Sequence, residues 1–231
     1  MKQRHIADDV LTYALFMWMA VSIGMMFFYA PIEQTMGLPQ KIFYFHVPLA
    51  WNAFLGFTIV FFCSFRYLAT RDPKWDTRSV AAAEVGVLFT TLVLITGPIW
   101  GKPIWGIWWT WDARLTLTFV LWLIYVGYLM LRRYIDAAER RATLAAIVGI
   151  AGFVDVPLVY FAIRWWRTQH PAPVLMGGKD SGLDPRMATT LWVSTAAYLL
   201  LFTVLYRRRL AVENLRNQLD AYREEMEGAK S

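Results

Sequence analysis

Apolar residues in this chain fall into six runs, 11–30, 47–66, 80–100, 115–131, 143–163 and 188–206, separated by short polar segments. Each run is close to the roughly 20 residues that a helix needs to cross the hydrocarbon core of a bilayer. The pattern predicts an all-α integral membrane protein of six spans. The intervening segments are too short to hold a second domain, so residues 1–231 read as one membrane domain with a polar tail over 207–231. The first run is too long for the apolar core of a signal peptide, and no A-x-A site follows it. It reads as a retained helix. Composition agrees: 58% of the 231 residues are hydrophobic and 17% are charged.

Charge then orients the spans. Of the 23 Lys and Arg, 16 lie in the N-terminus, the 66–79 and 132–142 segments and the tail, and 7 lie in the alternate segments. Cytoplasmic loops carry the excess of Lys and Arg, so both termini are expected in the cytoplasm. The net charge of +6 follows from that bias and needs no nucleic-acid partner. In the tail, Val212, Leu215, Leu219, Tyr222 and Met226 recur at helical spacing, which predicts an amphipathic helix over 207–227 with one face for a partner. A solvated, frayed helix fits the same spacing.

The outward side holds the unusual chemistry. "WGKPIWGIWWTWDARLT", residues 100–116, places five tryptophans within twelve residues. Gly97-Pro98 and Lys102-Pro103 are expected to interrupt the third span, because proline lacks a donor and clashes with the preceding turn. Beyond Pro103, Trp105, Trp108, Trp109 and Asp112 fall on one face of a helix. A short interfacial helix between spans three and four, too short to cross, is therefore predicted. One reading of the run is an aromatic belt at the headgroups. Its concentration in one punctuated segment, on one side only, favours a shelf for a flat apolar partner.

Two of the three histidines are on the same side. His46 stands in "FYFHVPLAW" at the mouth of span two, and His170 in "WWRTQH" after span five. Each precedes a proline within two residues, which biases the local backbone away from helix. Singly, either is an ordinary interfacial polar residue. Together they are two imidazoles flanked by aromatics, and imidazole is a common axial ligand of heme iron. Heme propionates call for cations, and Lys102, Arg114, Arg164 and Arg167 are close in sequence. Each also reads as a helix-end charge that snorkels to the interface. No C-x-x-C-H is present and Cys63 is the single cysteine, so heme would be held without thioether bonds. Glu84 and Asp155 are acids within spans, with no role assigned.

The tryptophan run, ending in "WDARLT", resembles the WWD signature of heme-handling proteins, in particular the CcmC family, the heme exporter protein C of cytochrome c maturation. "FYFHVPLAW", "WWRTQH" and "GLDP" at 182–185 agree with that family. The resemblance implies a non-enzymatic protein of the bacterial inner membrane that binds heme b transiently at its periplasmic face. It implies presentation of that heme to the chaperone CcmE, in a complex with the ATP-binding transporter subunits CcmA and CcmB and the small subunit CcmD. Carried over, His46 and His170 are axial ligands, and Trp100, Trp105, Trp108, Trp109, Trp111 and Asp112 form the platform and chaperone contact. A membrane b-type cytochrome and a transporter subunit with a midplane site are the alternatives.

Overall fold

A computed structural model describes residues 2–166, 170 and 182–228. Helix α1 (Lys2–Gly24) passes into a π-helical turn, Met25–Tyr29, and a 3-10 turn, Leu38–Ile42, leads into α2 (Phe43–Thr70). Then follow α3 (Pro73–Trp105), α4 (Ala113–Tyr134), α5 (Ala138–Phe153), α6 (Asp155–Trp165) and α7 (Pro185–Gly228). Among the described residues there is no strand, only an isolated bridge between Glu33 and Gly37. Six helical stretches are long and apolar enough to cross a membrane, α5 and α6 together forming the fifth. Every predicted span has its counterpart.

Several polar segments are shorter than the hydropathy pattern suggests, because the helices run on past the apolar stretch. Residues 66–79 reduce to a two-residue connection. Arg71 takes a left-handed conformation (φ 55°) and its N–H closes α2 on the Tyr67 carbonyl. Asp72 then caps α3 by accepting from the Lys74 N–H, and Pro73 occupies the first helical position, where no donor is needed. The tail is likewise not a separate helix. With no Gly or Pro between Pro185 and Gly228 to stop it, α7 continues for 44 residues, about 66 Å at helical rise. Arg209 pairs with Glu84 of α3 and with Glu213, and Asn217 Nδ2 donates to Thr77 Oγ1 at 3.0 Å. Glu84 is therefore accounted for as an ion-pair partner. Val212, Leu215, Leu219, Tyr222 and Met226 remain exposed.

The prolines of α3 are a second difference. The helix runs through both Pro98 and Pro103 instead of breaking at them. Each proline leaves one carbonyl without its helical donor, which a membrane helix tolerates when neighbouring elements pack around it. Here α3 packs along most of α2. A Cβ on Gly56 would stand 3.1 Å from the Gly86 Cα, and one on Gly86 would meet the Phe57 ring at 2.8 Å. The absence of side chains at both positions is what lets the two helices come this close. Phe57 in turn stacks on Tyr125 of α4, with ring centres 3.8 Å apart. Helix α1 is peripheral and packs chiefly on α7. Among the described residues the proline that does divide a span is Pro157, which removes the donor to the Phe153 carbonyl, and α5 ends there at Phe153 with Val154 as its C-cap.

Candidate functional site

Six spans put the chain termini at one end of the bundle. The tryptophan run, His46 and His170 share the other. His46 lies in the first turn of α2, so the expected bias away from helix is not realised. Pro48 costs α2 only the bond to the Tyr44 carbonyl near its start, and the 3-10 turn before it already directs the chain into the helix.

The imidazole of His46 is 7% exposed, and its Nδ1 is 2.8 Å from Thr96 Oγ1 of α3. The Thr96 hydroxyl has a single proton, which it donates to the Leu92 carbonyl at 2.8 Å. With the proton so placed, its oxygen accepts from His46. That assigns the ring proton to Nδ1 and leaves Nε2 with a lone pair for a ligand, the arrangement that metal-binding histidines use. Gly97, one residue on, keeps the space beside the ring: a Cβ there would contact His46 Cε1 at 3.4 Å.

His170, partly buried, has its ring centre 6.4 Å from that of His46, at 34°. Trp100 packs edge-on against both, 5.8 Å from His46 and 6.5 Å from His170. Two imidazole–metal bonds of about 2.0–2.1 Å, with ~1.1 Å from each nitrogen to its ring centre, put such rings about 6.3 Å apart. The observed separation of ring centres is close to that value. Both line one cavity, whose walls are Ala50, Ala53, Phe54, Val93, Leu94, Leu115, Leu121 and Val159, with Thr90 and Thr118 as further polar positions. Among the described residues Arg114 also lines it, and no carboxylate does.

The predicted site residues divide. Trp100, Trp105 and Trp109 line the cavity, as does Arg114. Trp100 is 5% exposed, and the indole N–H groups of Trp100 and Trp109 have no hydrogen-bond partner, so two residues of the cavity wall carry buried donors that an acceptor-bearing ligand could satisfy. Trp108 and Trp111, 60% and 74% exposed, do not line it. The short helix predicted over Trp105–Asp112 does not form. Gly106 adopts φ +76° and ends α3, its N–H bonded to the Lys102 carbonyl, and residues 107–112 are irregular.

The acid of the signature has a structural job. Asp112 Oδ1 accepts from the Leu115 N–H at 3.0 Å and caps α4, while Oδ2 accepts from Thr110. It is not among the cavity-lining residues. Asp-x-x-Leu ahead of an apolar run is a helix-start signal, so this role was legible and went unread. Lys102 instead donates to the Gly106 carbonyl and sits over the Trp108 ring. Arg164 is exposed beside Phe161, and Arg167 lies outside the described residues. Thr96 was missed, since nothing in the sequence ties it to a histidine fifty residues away.

The arrangement suits a planar, metal-bearing ligand with anionic groups at its edge. Among the described residues no group of three or more His, Cys, Asp or Glu is placed to hold a bare metal ion, whereas a porphyrin iron needs only two axial donors.

Comparison with known proteins points the same way. The family model for CcmC, heme exporter protein C, matches residues 3–225. The chain is 38% identical over 192 residues to the heme exporter protein C of Bradyrhizobium diazoefficiens, covering 82% of this chain and 72% of that protein. It is 34% identical over 184 residues to the heme exporter protein C of Escherichia coli, covering 80% and 74%. A third relative is a putative cytochrome c biosynthesis ccmC-like mitochondrial protein of Arabidopsis thaliana, 31% identical over 205 residues, covering 89% and 77%.

Proposed function

The chain belongs to the CcmC family of heme exporter proteins, and from that premise we propose that it binds heme b between His46 and His170 at the periplasmic face of the inner membrane and presents it to the chaperone CcmE. It handles heme for cytochrome c maturation, in a complex with CcmA, CcmB and CcmD. The observation that carries the reading is the imidazole pair, 6.4 Å apart across one aromatic cavity. His46 Nε2 supplies one axial bond, held in the right tautomer by Thr96, and His170 supplies the other. Arg114 answers a propionate. Trp100, Trp105 and Trp109 enclose the macrocycle, and Trp108 and Trp111 lie outward where a second protein can reach them. The b-type cytochrome alternative requires histidines placed along the spans, and nothing specific favours it.

Titration of the purified full-length protein with ferric heme tests this. A low-spin, bis-imidazole absorbance spectrum is expected, and a heme that stays free or high-spin overturns the reading. Thr96→Val keeps the shape of the side chain while removing the acceptor. Loss of such an outer partner costs about 10–100-fold in metal affinity, and the same titration should show a fall of that size.

Orientation has its own check. Cys63 is buried, so a new surface cysteine reports alone. A membrane-impermeant thiol reagent added to spheroplasts should label Trp111→Cys and spare Tyr222→Cys. The opposite pattern would put the heme cavity on the cytoplasmic side.

A further inference from the structure

Asp155 opens α6 inside the fifth span, is 6% exposed, and its Oδ2 has no hydrogen-bond partner. An ionised carboxylate at this depth is costly unless a cation answers it, and among the described residues its Oδ2 meets none. Among the described residues the buried charged side chains are Lys41, Glu213 and Asp155 itself. Lys41 is spent on the Ala30 and Pro31 carbonyls, and Glu213 pairs with Arg209 in the tail. Tyr125, on the neighbouring α4, gives its hydroxyl to the Gly149 carbonyl. Among the described residues the acid has no answering charge.

What stands above it is the cavity. Val159 lines the cavity floor and lies four residues beyond Asp155 on the same face of α6, about 6 Å along the axis. The cavity brings an arginine and two imidazoles but no carboxylate. A ferric porphyrin iron with two neutral imidazoles carries one positive charge at its centre, whereas the ferrous form carries none. Arg114 can meet a propionate at the edge of the macrocycle, and among the described lining residues none carries a negative charge to oppose that on the iron. The residues between Asp155 and Val159 along α6, Val156, Pro157 and Leu158, are apolar, and a field is weakened far less through such groups than through water.

We propose that Asp155 is the buried counter-charge of oxidised heme, a positioning residue for charge that biases the cavity toward the ferric form. This rests on the heme reading above. It would act at a distance, with no contact to the macrocycle, so the axial ligands and the spectrum are untouched by its removal. Its effect is confined to the balance between the two oxidation states.

Spectroelectrochemical titration of the heme-loaded, full-length protein tests it. Asp155→Asn, which keeps the shape and breaks no protein hydrogen bond at Oδ2, should leave the bis-imidazole spectrum in place. It should lower the ratio of ferric to ferrous affinity about tenfold, a rise in midpoint potential of about 59 mV for a one-electron couple. Asp155→Glu should keep the wild-type ratio. Should the asparagine variant fail to accumulate, Asp155→Ser is read in its place. Neutral variants that bind heme with the wild-type ratio overturn the proposal and leave the heme reading intact. A wild-type protein that binds no heme overturns both.

Discussion

His46→Ala is expected to convert bound heme from a six-coordinate, low-spin spectrum to a high-spin one, and to weaken binding more than loss of Thr96 does. The reason is local. The Nδ1 proton is committed to Thr96, so the Nε2 lone pair is the only donor this ring offers, and α2 brings no other imidazole to the cavity. Alanine leaves a hole bounded by Gly97, Trp100 and Thr96, since the ring it replaces is nearly fully buried. Free imidazole should fill that hole and restore the low-spin spectrum, which a misfolded variant would not allow. Because an outer partner alone is worth about 10–100-fold, loss of the axial bond itself should exceed that range. Heme bound by His46→Ala with an unchanged bis-imidazole spectrum would mean that the ligands are elsewhere.

The second large effect falls on transfer, not on binding. Replacing Trp108 and Trp111 together by alanine should abolish loading of CcmE while most of the bound heme stays visible. Both indoles are exposed at the rim, and neither lines the cavity. Trp111 is braced edge-on by Trp109 and Phe119, so it presents a rigid surface at little entropic cost. An interface tryptophan truncated to alanine commonly costs about 2 kcal/mol or more. For the pair that is ~4 kcal/mol, about a thousandfold in affinity at 1.4 kcal/mol per decade. Trp109→Ala is the contrast, because its ring is a wall of the cavity and its loss should weaken heme binding directly. Transfer at the wild-type rate from the double variant, at normal membrane levels, would reduce these two residues to an interfacial anchor.

These two variants separate residues that the sequence had joined. From the chain alone Trp105, Trp108, Trp109 and Asp112 shared a helical face, and all were assigned to one shelf. The assumption that failed was that helix resumes after Pro103. Gly106 takes a positive φ and turns the chain out of α3, and past that point a 3.6-residue period says nothing about direction. Asp112, placed on the shelf by that period, is occupied as the cap of α4.

Properties that one segment can carry alone are readable along the chain. Six apolar runs of bilayer length specify six spans, because each transmembrane helix satisfies its own backbone. The Lys and Arg asymmetry is likewise a sum over loops. The crowding of tryptophan and the presence of two histidines toward one end were visible for the same reason, as was the family likeness. Tertiary structure alone decided which of those residues meet. That Thr96 orients His46 and that Trp100 packs against both imidazoles depend on distances between different segments of the chain. Those distances come from packing, in which Gly56 and Gly86 admit close approach and Phe57 stacks on Tyr125. Residues far apart in the chain are brought together there, and no local period records it.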